Sequence, residues 1–494
     1  MRRLEPAPPP HVNRLMKVND PVLAAFDDRE KRGASEPIAT SFSHSWSVGD
    51  VAALARTVAS SKLAPLSEKG TIVGLAAPNG PGFVAGFLAL RQVGAVVLLF
   101  DWRTPRSERT RSACAIGAGA ILEVEDQWPD GPDDFTLREV ERDAERDRIE
   151  FPAEAATIRL TSGSTGNPQG IVHTSEALLS DDHNLSLTMG LRPDETILAS
   201  VPLSHAYGFA SILLPALAQR AILAIPEIGR PLAPMETAVG QRVTFLPTVP
   251  AYLQAILDMK ETPPLPADLR LIITAGAPLN PETAARFRKA YGLPIHVFYG
   301  ASEVGGITFD RDGSAAERGT LGSPVENVRV QLEPNDGAEE GQGVVTVRSP
   351  SAAVGYHPES NSNLRDGCFR TSDLATFRAG ELVLLGRIDD LINVKGLKLN
   401  PREVETVLGQ MDGVHEAVVF GTDDEGGRGQ VVCAVVAISD NTTGYDEIRW
   451  WCRDHLAAHK VPRKVVTVDR IPRNSRGKVD RAAIRALLTT NDEA

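Results

Sequence analysis

Short apolar runs alternate along this chain with stretches whose apolar residues recur every three or four positions. Thr71–Gly80, TIVGLAAPNG, reads as a strand closed by a Pro-Asn-Gly turn. Phe83, Phe87 and Leu90 follow at helical spacing, and Ala95–Phe100, AVVLLF, has the unbroken apolar character of a strand covered on both faces. Similar strand-then-helix pairs begin at Ile158, Thr196, Val243, Leu269 and Pro294. Continuous apolar strands separated by helices predict an α/β fold: parallel-rich sheets flanked by helices, with a small β subdomain.

Two helix starts are marked by the same device. Asn280-Pro281 supplies a capping side chain and a first-turn proline, and Gly292 closes that helix. Asn400-Pro401-Arg402-Glu403 repeats it, with Glu403 placed for a capping box. From Gly386 onward the pattern reads β-hairpin, helix, EAVVFG, QVVCAVVAI, a helix near Asp446–Ala458, KVVTV and a last helix. The expected division is a large N-terminal domain over 1–386 and a small α+β domain over 387–494.

Composition narrows the class. At 494 residues the chain exceeds what one core supports. A formal net charge of −12 argues against a nucleic-acid binder. Cys114, Cys368, Cys433 and Cys452 have neither zinc nor disulfide spacing, which reads as reduced thiols in the cytoplasm. The opening MRRLEPAPPPHVN has no apolar run after its arginines, as a signal peptide would. The most apolar stretch, Phe83 to Phe100, contains Arg91 and Gln92 and breaks at Gly94, so it reads as helix then strand rather than a membrane span.

One loop carries candidate chemistry. Thr161–Gly170, TSGSTGNPQG, offers Gly163 and Gly166 for a tight backbone, and hydroxyls at Thr161, Ser162, Ser164 and Thr165. Such a loop turns its N–H groups toward an anion, although the spacing of a P-loop is absent. By itself it is also what a Ser/Gly surface loop looks like.

It belongs to a series. PLSHAYG (202–208), TAGAPLN (274–280), YGASEVGG (299–306), RTSDL (370–374), GRIDDLINVKG (386–396) and PRNSRGKVDR (472–481) follow in order. Together they resemble the adenylate-forming superfamily of acyl-CoA synthetases, peptide-synthetase adenylation domains and luciferases. The resemblance runs from about Val48 to the end. It implies activation of a carboxylate by ATP to an acyl-adenylate, with release of pyrophosphate, then transfer of the acyl group, usually to a thiol.

The resemblance assigns roles by position. Thr161, Ser162, Gly163, Ser164, Thr165, Gly166 and Gln169 would surround the terminal phosphates. Glu303 would bind magnesium, with Thr165 beside it. Tyr299 would stack on adenine, and Gly276, Ala277 and Pro278 would line the same pocket, with Gly300 and Ser302 in the adjoining motif. Asp373 would accept from the ribose hydroxyls and Arg387 would reach ribose or phosphate. Lys478 would bridge the carboxylate and the α-phosphate, and His205 would stand at the mouth of the acyl pocket. Asp389 would be the hinge of a swinging lid, and Lys395 and Gly396 would line the thiol tunnel. Several of these residues also have plainer readings: a packed histidine, a core tyrosine, an exposed loop acid.

Two departures refine the expectation. Gln169 stands where the superfamily usually has lysine, so a charge-assisted contact to phosphate is replaced by a neutral one. From His205 to Leu217 there is no acid to pair an α-amine, which argues against an amino acid and for a fatty or aryl acid. Tyr207, Gly208, Phe209, Ser211 and Val249 are the lining candidates. The expected activity is an AMP-forming carboxylic acid–CoA ligase in fatty acid metabolism, using ATP, Mg2+ and coenzyme A. A stand-alone adenylation enzyme loading an acyl carrier protein, and a nucleotide-binding pseudoenzyme, are the alternatives.

Overall fold

The computed structural model describes residues 20–66, 71–141, 154–161, 168–335, 339–358, 362–390, 392–394, 397–423, 430–438, 444–473, 479–480, 483–484 and 486–487. The chain packs as two compact units. The first takes in the chain to Glu317, then Pro324–Arg329 and Arg348–Phe369; the second takes in Arg318–Ser323, Val330–Val347 and Arg370–Ala494.

The first unit holds two large sheets. In one, the strands Ile72–Ala76, Val96–Phe100, Ala120–Val124 and Ala155–Thr161 run parallel, with antiparallel strands at both edges. In the other, Thr196–Leu198, Ile222–Ala224, Phe245–Thr248, Leu271–Thr274 and His296–Ala301 run parallel. The central strands are buried along their whole length, as their continuous apolar sequences require. Helix Pro81–Gln92 is buried on every side, which accounts for its lack of a polar face.

Two of the expected strand–helix pairs are built differently. After Ala155–Thr161 the chain returns as the antiparallel strand Gln169–Thr174 before helix Ser175–Met189 begins. After His296–Ala301 it turns back as Gly305–Phe309 rather than entering a helix. Both turns occur where the sequence carries Gly and Ser/Thr, which permit a reversal as readily as a loop to a helix.

Asn280 caps helix Pro281–Tyr291 by accepting from Glu282 N at 2.8 Å, and Gly292 ends it in the left-handed conformation. Asn400 caps Pro401–Leu408 in the same way, at 3.1 Å from Arg402 N. Glu403 makes no capping box; its carboxylate pairs with Lys460, a charged partner stronger than a backbone amide. All four cysteines are free, and Cys433 and Cys452 are buried.

The second unit carries its own sheets. Cys368–Arg378 pairs antiparallel with Glu381–Arg387. Further on, Val414–Asp423, Gln430–Ile438 and Lys464–Val468 form a three-stranded sheet covered by helices Pro401–Leu408 and Tyr445–His455. The expected last helix falls largely outside the described residues. Among those residues, no helix is long and apolar enough to cross a membrane.

Arg91, which interrupts the most apolar stretch of the sequence, is buried and charge-paired. Its Nε donates to Asp20 Oδ2 at 2.7 Å, while Asp20 Oδ1 caps the first helix from Val22 N at 2.9 Å. Asp20→Ala is expected to cost about 3–5 kcal/mol, because it strands a buried guanidinium as well as a helix end. Asp20→Asn, which keeps a capping oxygen, should cost less. Urea denaturation of the three proteins checks the order.

Candidate active site

Parallel strands bring their carboxyl ends to one edge of a sheet, where open α/β folds bind ligands. Along one such edge of the first unit lie the turn after Leu271–Thr274 with Gly276, the end of His296–Ala301 with Tyr299 and Gly300, and His205 beyond Thr196–Leu198. Along the other sheet's edge lie Asp101 after Val96–Phe100 and Thr161 at the end of its strand.

Side-chain hydrogen bonds join the two edges, those of Asn79 first among them. Asn79, in the turn after Ile72–Ala76, donates to Ala199 O at 2.9 Å and Val201 O at 2.8 Å, and accepts from Leu203 N at 2.9 Å. Gln127 reinforces the joint by donating to Asn79 O and Pro226 O. His205 then starts a short helix and lies 3.4 Å, through Nε2, from Asp101 Oδ2. Burial disfavours the Asp101 carboxylate, but hydrogen bonds from His205 and Arg103 outweigh it and hold the group well below the usual carboxylate range. Asp101 thus stays an anion beside the histidine.

The helical stretch after His205 contains a π-helical turn over Phe209–Leu213. Pro215, just beyond, has no N–H for the carbonyl four residues back, and a wide turn accommodates that loss. Phe209 and Ser211 are buried here, with Phe209 packed edge-on against Phe87 at 5.4 Å. Both are packed into the interior of the first unit. Tyr207 is also committed: its hydroxyl accepts from Thr248 N at 3.1 Å and lies 3.1 Å from Ile273 O. Val249 is exposed.

Gly276 has φ +86°, a conformation that suits glycine, and an added Cβ there would meet nothing within 4 Å. Ala277 and Pro278 are exposed beside it. This backbone is therefore open on one side. Tyr299 is half-buried and Gly300 exposed, next to the turn that carries Ser302 and Glu303. Glu303 Oε1 accepts from the Tyr356 hydroxyl at 2.9 Å. Burial and the Glu303 charge push that hydroxyl above its ordinary value, so it keeps its proton and donates.

Gln169 is half-buried and pairs in register with Thr161 across the base of the loop. Ser162, Gly163, Ser164, Thr165 and Gly166 lie outside the described residues, as do Lys395, Gly396 and Lys478. In the second unit, Asp373 and Arg387 are cross-strand neighbours, with Arg387 Nε 3.4 Å from Asp373 Oδ1. Sequence reasoning missed Asn79, Asp101 and Tyr356. Asn79 was visible only as part of a turn, and the other two carried no local signal.

Behind the hairpin is a group of buried titratable side chains. Arg159 lies 4.9 Å over the Phe209 ring, and burial lowers it to about 10 against the pull of Asp181. Burial, then the charge of Arg159, pushes His173 well below its ordinary value. Asp181 accepts from Gly306 N at 3.0 Å, and burial raises it to about 6. Asp182 accepts from Gln219 Nε2 at 2.7 Å and is raised to about 7, mainly by burial.

Comparison with known proteins places these residues in a family. The pattern described as AMP-binding enzyme matches residues 26–357, and that described as AMP-binding enzyme C-terminal domain matches 403–478. The chain belongs to the AMP-binding enzyme family, the adenylate-forming superfamily. Among curated relatives it is 29% identical over 445 residues to the 2-succinylbenzoate–CoA ligase of Geobacillus sp. (strain WCH70), covering 86% of this chain and 89% of that one. It is 29% identical over 337 residues to a long-chain-fatty-acid–CoA ligase of Mycobacterium tuberculosis, covering 66% of each. Among solved structures, the amide bond synthetase of Marinactinospora thermotolerans superposes with a TM-score of 0.78 at 25% identity, over 94% of this chain and 99% of that one.

The raised aspartates have a sign. Between the ordinary value of 3.8 and about 6–7 the folded protein binds more protons than the unfolded chain. Their contribution to stability is complete below about pH 4 and is lost as pH rises through 6–7. Asp182→Asn should flatten this decline, read as the slope of urea midpoints from pH 5 to 8.

Proposed function

We propose that this enzyme is an AMP-forming carboxylic acid–CoA ligase acting on a fatty or aryl acid. The observation that carries the reading is the shared carboxyl-end edge. There the open Gly276 backbone, Tyr299 and the Glu303 turn stand together in the first unit. The relatives' names point to carboxylic acids as substrates and to CoA as the acceptor.

Thr161–Gly166 and Gln169 would hold the terminal phosphates of ATP, Gly276–Pro278 and Tyr299 the adenine, and Asp373 and Arg387 the ribose. Magnesium fits the donor set. Among the described residues no three His, Cys, Asp or Glu side chains gather to cage a metal, whereas Glu303 offers one oriented carboxylate. Mg2+ commonly takes one or two carboxylates and completes its shell with phosphate oxygens and water. When bound, it would neutralise charge on the phosphates.

Lys478 supplies a cation where a carboxylate oxygen attacks the α-phosphorus and pyrophosphate leaves. The acyl carbon is then attacked by the CoA thiol and AMP departs. The lid over 387–494, hinged near Asp389, would exchange Lys478 for Lys395 and Gly396 between the two steps. Four free thiols suit a reducing compartment, and we assign the enzyme to the cytoplasm, in the metabolism of fatty or related acids. Loading of an acyl carrier protein is the second acceptor to test, since its phosphopantetheine arm ends in the same thiol.

Pyrophosphate release with ATP and magnesium, across fatty, aryl and amino acids with and without CoA, tests the reading. Release confined to fatty or aryl acids, with AMP and a CoA thioester formed together, is expected. Silence across the panel would overturn it. Lys478→Ala should abolish adenylation while sparing thioester formation from supplied acyl-adenylate. Gln169→Lys should lower the KM for ATP several-fold by restoring a charge-assisted contact, as steady-state kinetics will show.

A further inference from the structure

Glu303 sits in a turn between two antiparallel strands, His296–Ala301 and Gly305–Phe309. Such a turn, with a half-buried carboxylate at its tip, has no intrinsic reason to hold one orientation. The structure fixes it from outside. A segment distant in sequence, Ser349–His357, lies along it. Ala353 N donates to Glu303 O at 2.7 Å, and Ser351 Oγ donates to Val304 O at 2.8 Å. Tyr356 OH donates to Glu303 Oε1 at 2.9 Å.

The same segment is also a strand of the sheet that bears the phosphate-loop hairpin. Gly355–His357 pairs antiparallel with Gln169–Thr174, placing Gly355 opposite Val172, Tyr356 opposite Ile171 and His357 opposite Gly170. Val354 N donates to Val172 O at 2.9 Å. One strap therefore holds Glu303 at its backbone carbonyl and at its carboxylate while it is laddered onto the strand that leaves the phosphate loop. Behind both, Asp181 ties Gly306 N to the helix that follows the hairpin.

We infer that Tyr356 is a positioning residue for the metal carboxylate: its hydrogen bond to Oε1 holds the Glu303 carboxylate in one orientation, the one in which it would meet a divalent cation. This rests on the reading of Glu303 given above. The role differs from that of a packing tyrosine because it acts on the coupling between metal and nucleotide and not on nucleotide binding as such. Outer partners of ligating groups commonly change metal affinity by roughly 10–100-fold when removed.

The experiment is a binding measurement without the carboxylic acid, so that no turnover occurs. The affinity for α,β-methylene-ATP is measured by calorimetry in magnesium and again in EDTA, and the ratio of the two constants reports the coupling. Tyr356→Phe should reduce that ratio by about tenfold, with the affinity in EDTA and the thermal midpoint close to wild type. Glu303→Gln serves as the reference and should reduce the ratio at least as far. If Glu303→Gln lowers the ratio and Tyr356→Phe does not, the inference about Tyr356 fails and the reading of Glu303 stands. If neither variant moves it, the magnesium role of Glu303 fails and takes the inference with it. A Tyr356→Phe protein that loses affinity equally in magnesium and EDTA would show a structural tyrosine and also overturn the proposal.

Discussion

Two sheets in the first unit must present their carboxyl ends to the same place, and one asparagine does most of the joining. Asn79 reaches from one sheet to the chain beyond a strand of the other, and its amide makes three hydrogen bonds to backbone 120 or more residues away. A side-chain amide suits this task because it can donate twice and accept at the same time. His205 follows within a few residues of the atoms Asn79 holds, and Asp101 meets it from the other sheet. The alignment of these edges underlies every functional assignment in the first unit.

Much of this was legible in the chain. Strands such as Val96–Phe100 and caps such as Asn280 follow from local periodicity and local chemistry, and both appear as read. The ordered motifs placed Tyr299, Glu303, Asp373 and Arg387, and the last two prove to be cross-strand neighbours. What sequence could not reveal depends on pairing at long range. The strand Ala155–Thr161 was legible, but its return as Gln169–Thr174 was not, since a loop rich in Gly and Ser leads equally well into a helix. Phe209 and Ser211 are buried, which their apolar or small side chains allow in a core and in a pocket wall alike. Arg91 argued rightly against a membrane span, yet nothing near it announced Asp20 as its partner.

The polar groups behind the phosphate-loop hairpin are unusual company for an apolar core. Arg159, His173, Asp181 and Asp182 are all buried. Groups of this kind contribute little net stability, because desolvation offsets much of their attraction. Their geometry is directional where apolar packing is not. Asp181 joins the Glu303 turn to its helix, and Arg159 stands two residues before Thr161. The two aspartates thus fix their neighbours through directed hydrogen bonds, accepted from Gly306 N and from Gln219 Nε2.

The strap over Ser349–His357 also gives the molecule an order in time. The first unit is discontinuous: the chain leaves it after Glu317, returns briefly, and comes back at Arg348. Glu303 and Tyr356 are some fifty residues apart in synthesis. At ribosomal speeds of about 5–20 residues per second, the turn emerges roughly 3–10 seconds before the strand that clamps it. During that interval the strand Gln169–Thr174 has an unpaired edge of the kind that invites association with other chains. A nascent chain of this enzyme therefore passes through a stage at which nearly all of the first unit has been made and its site is still open along one seam.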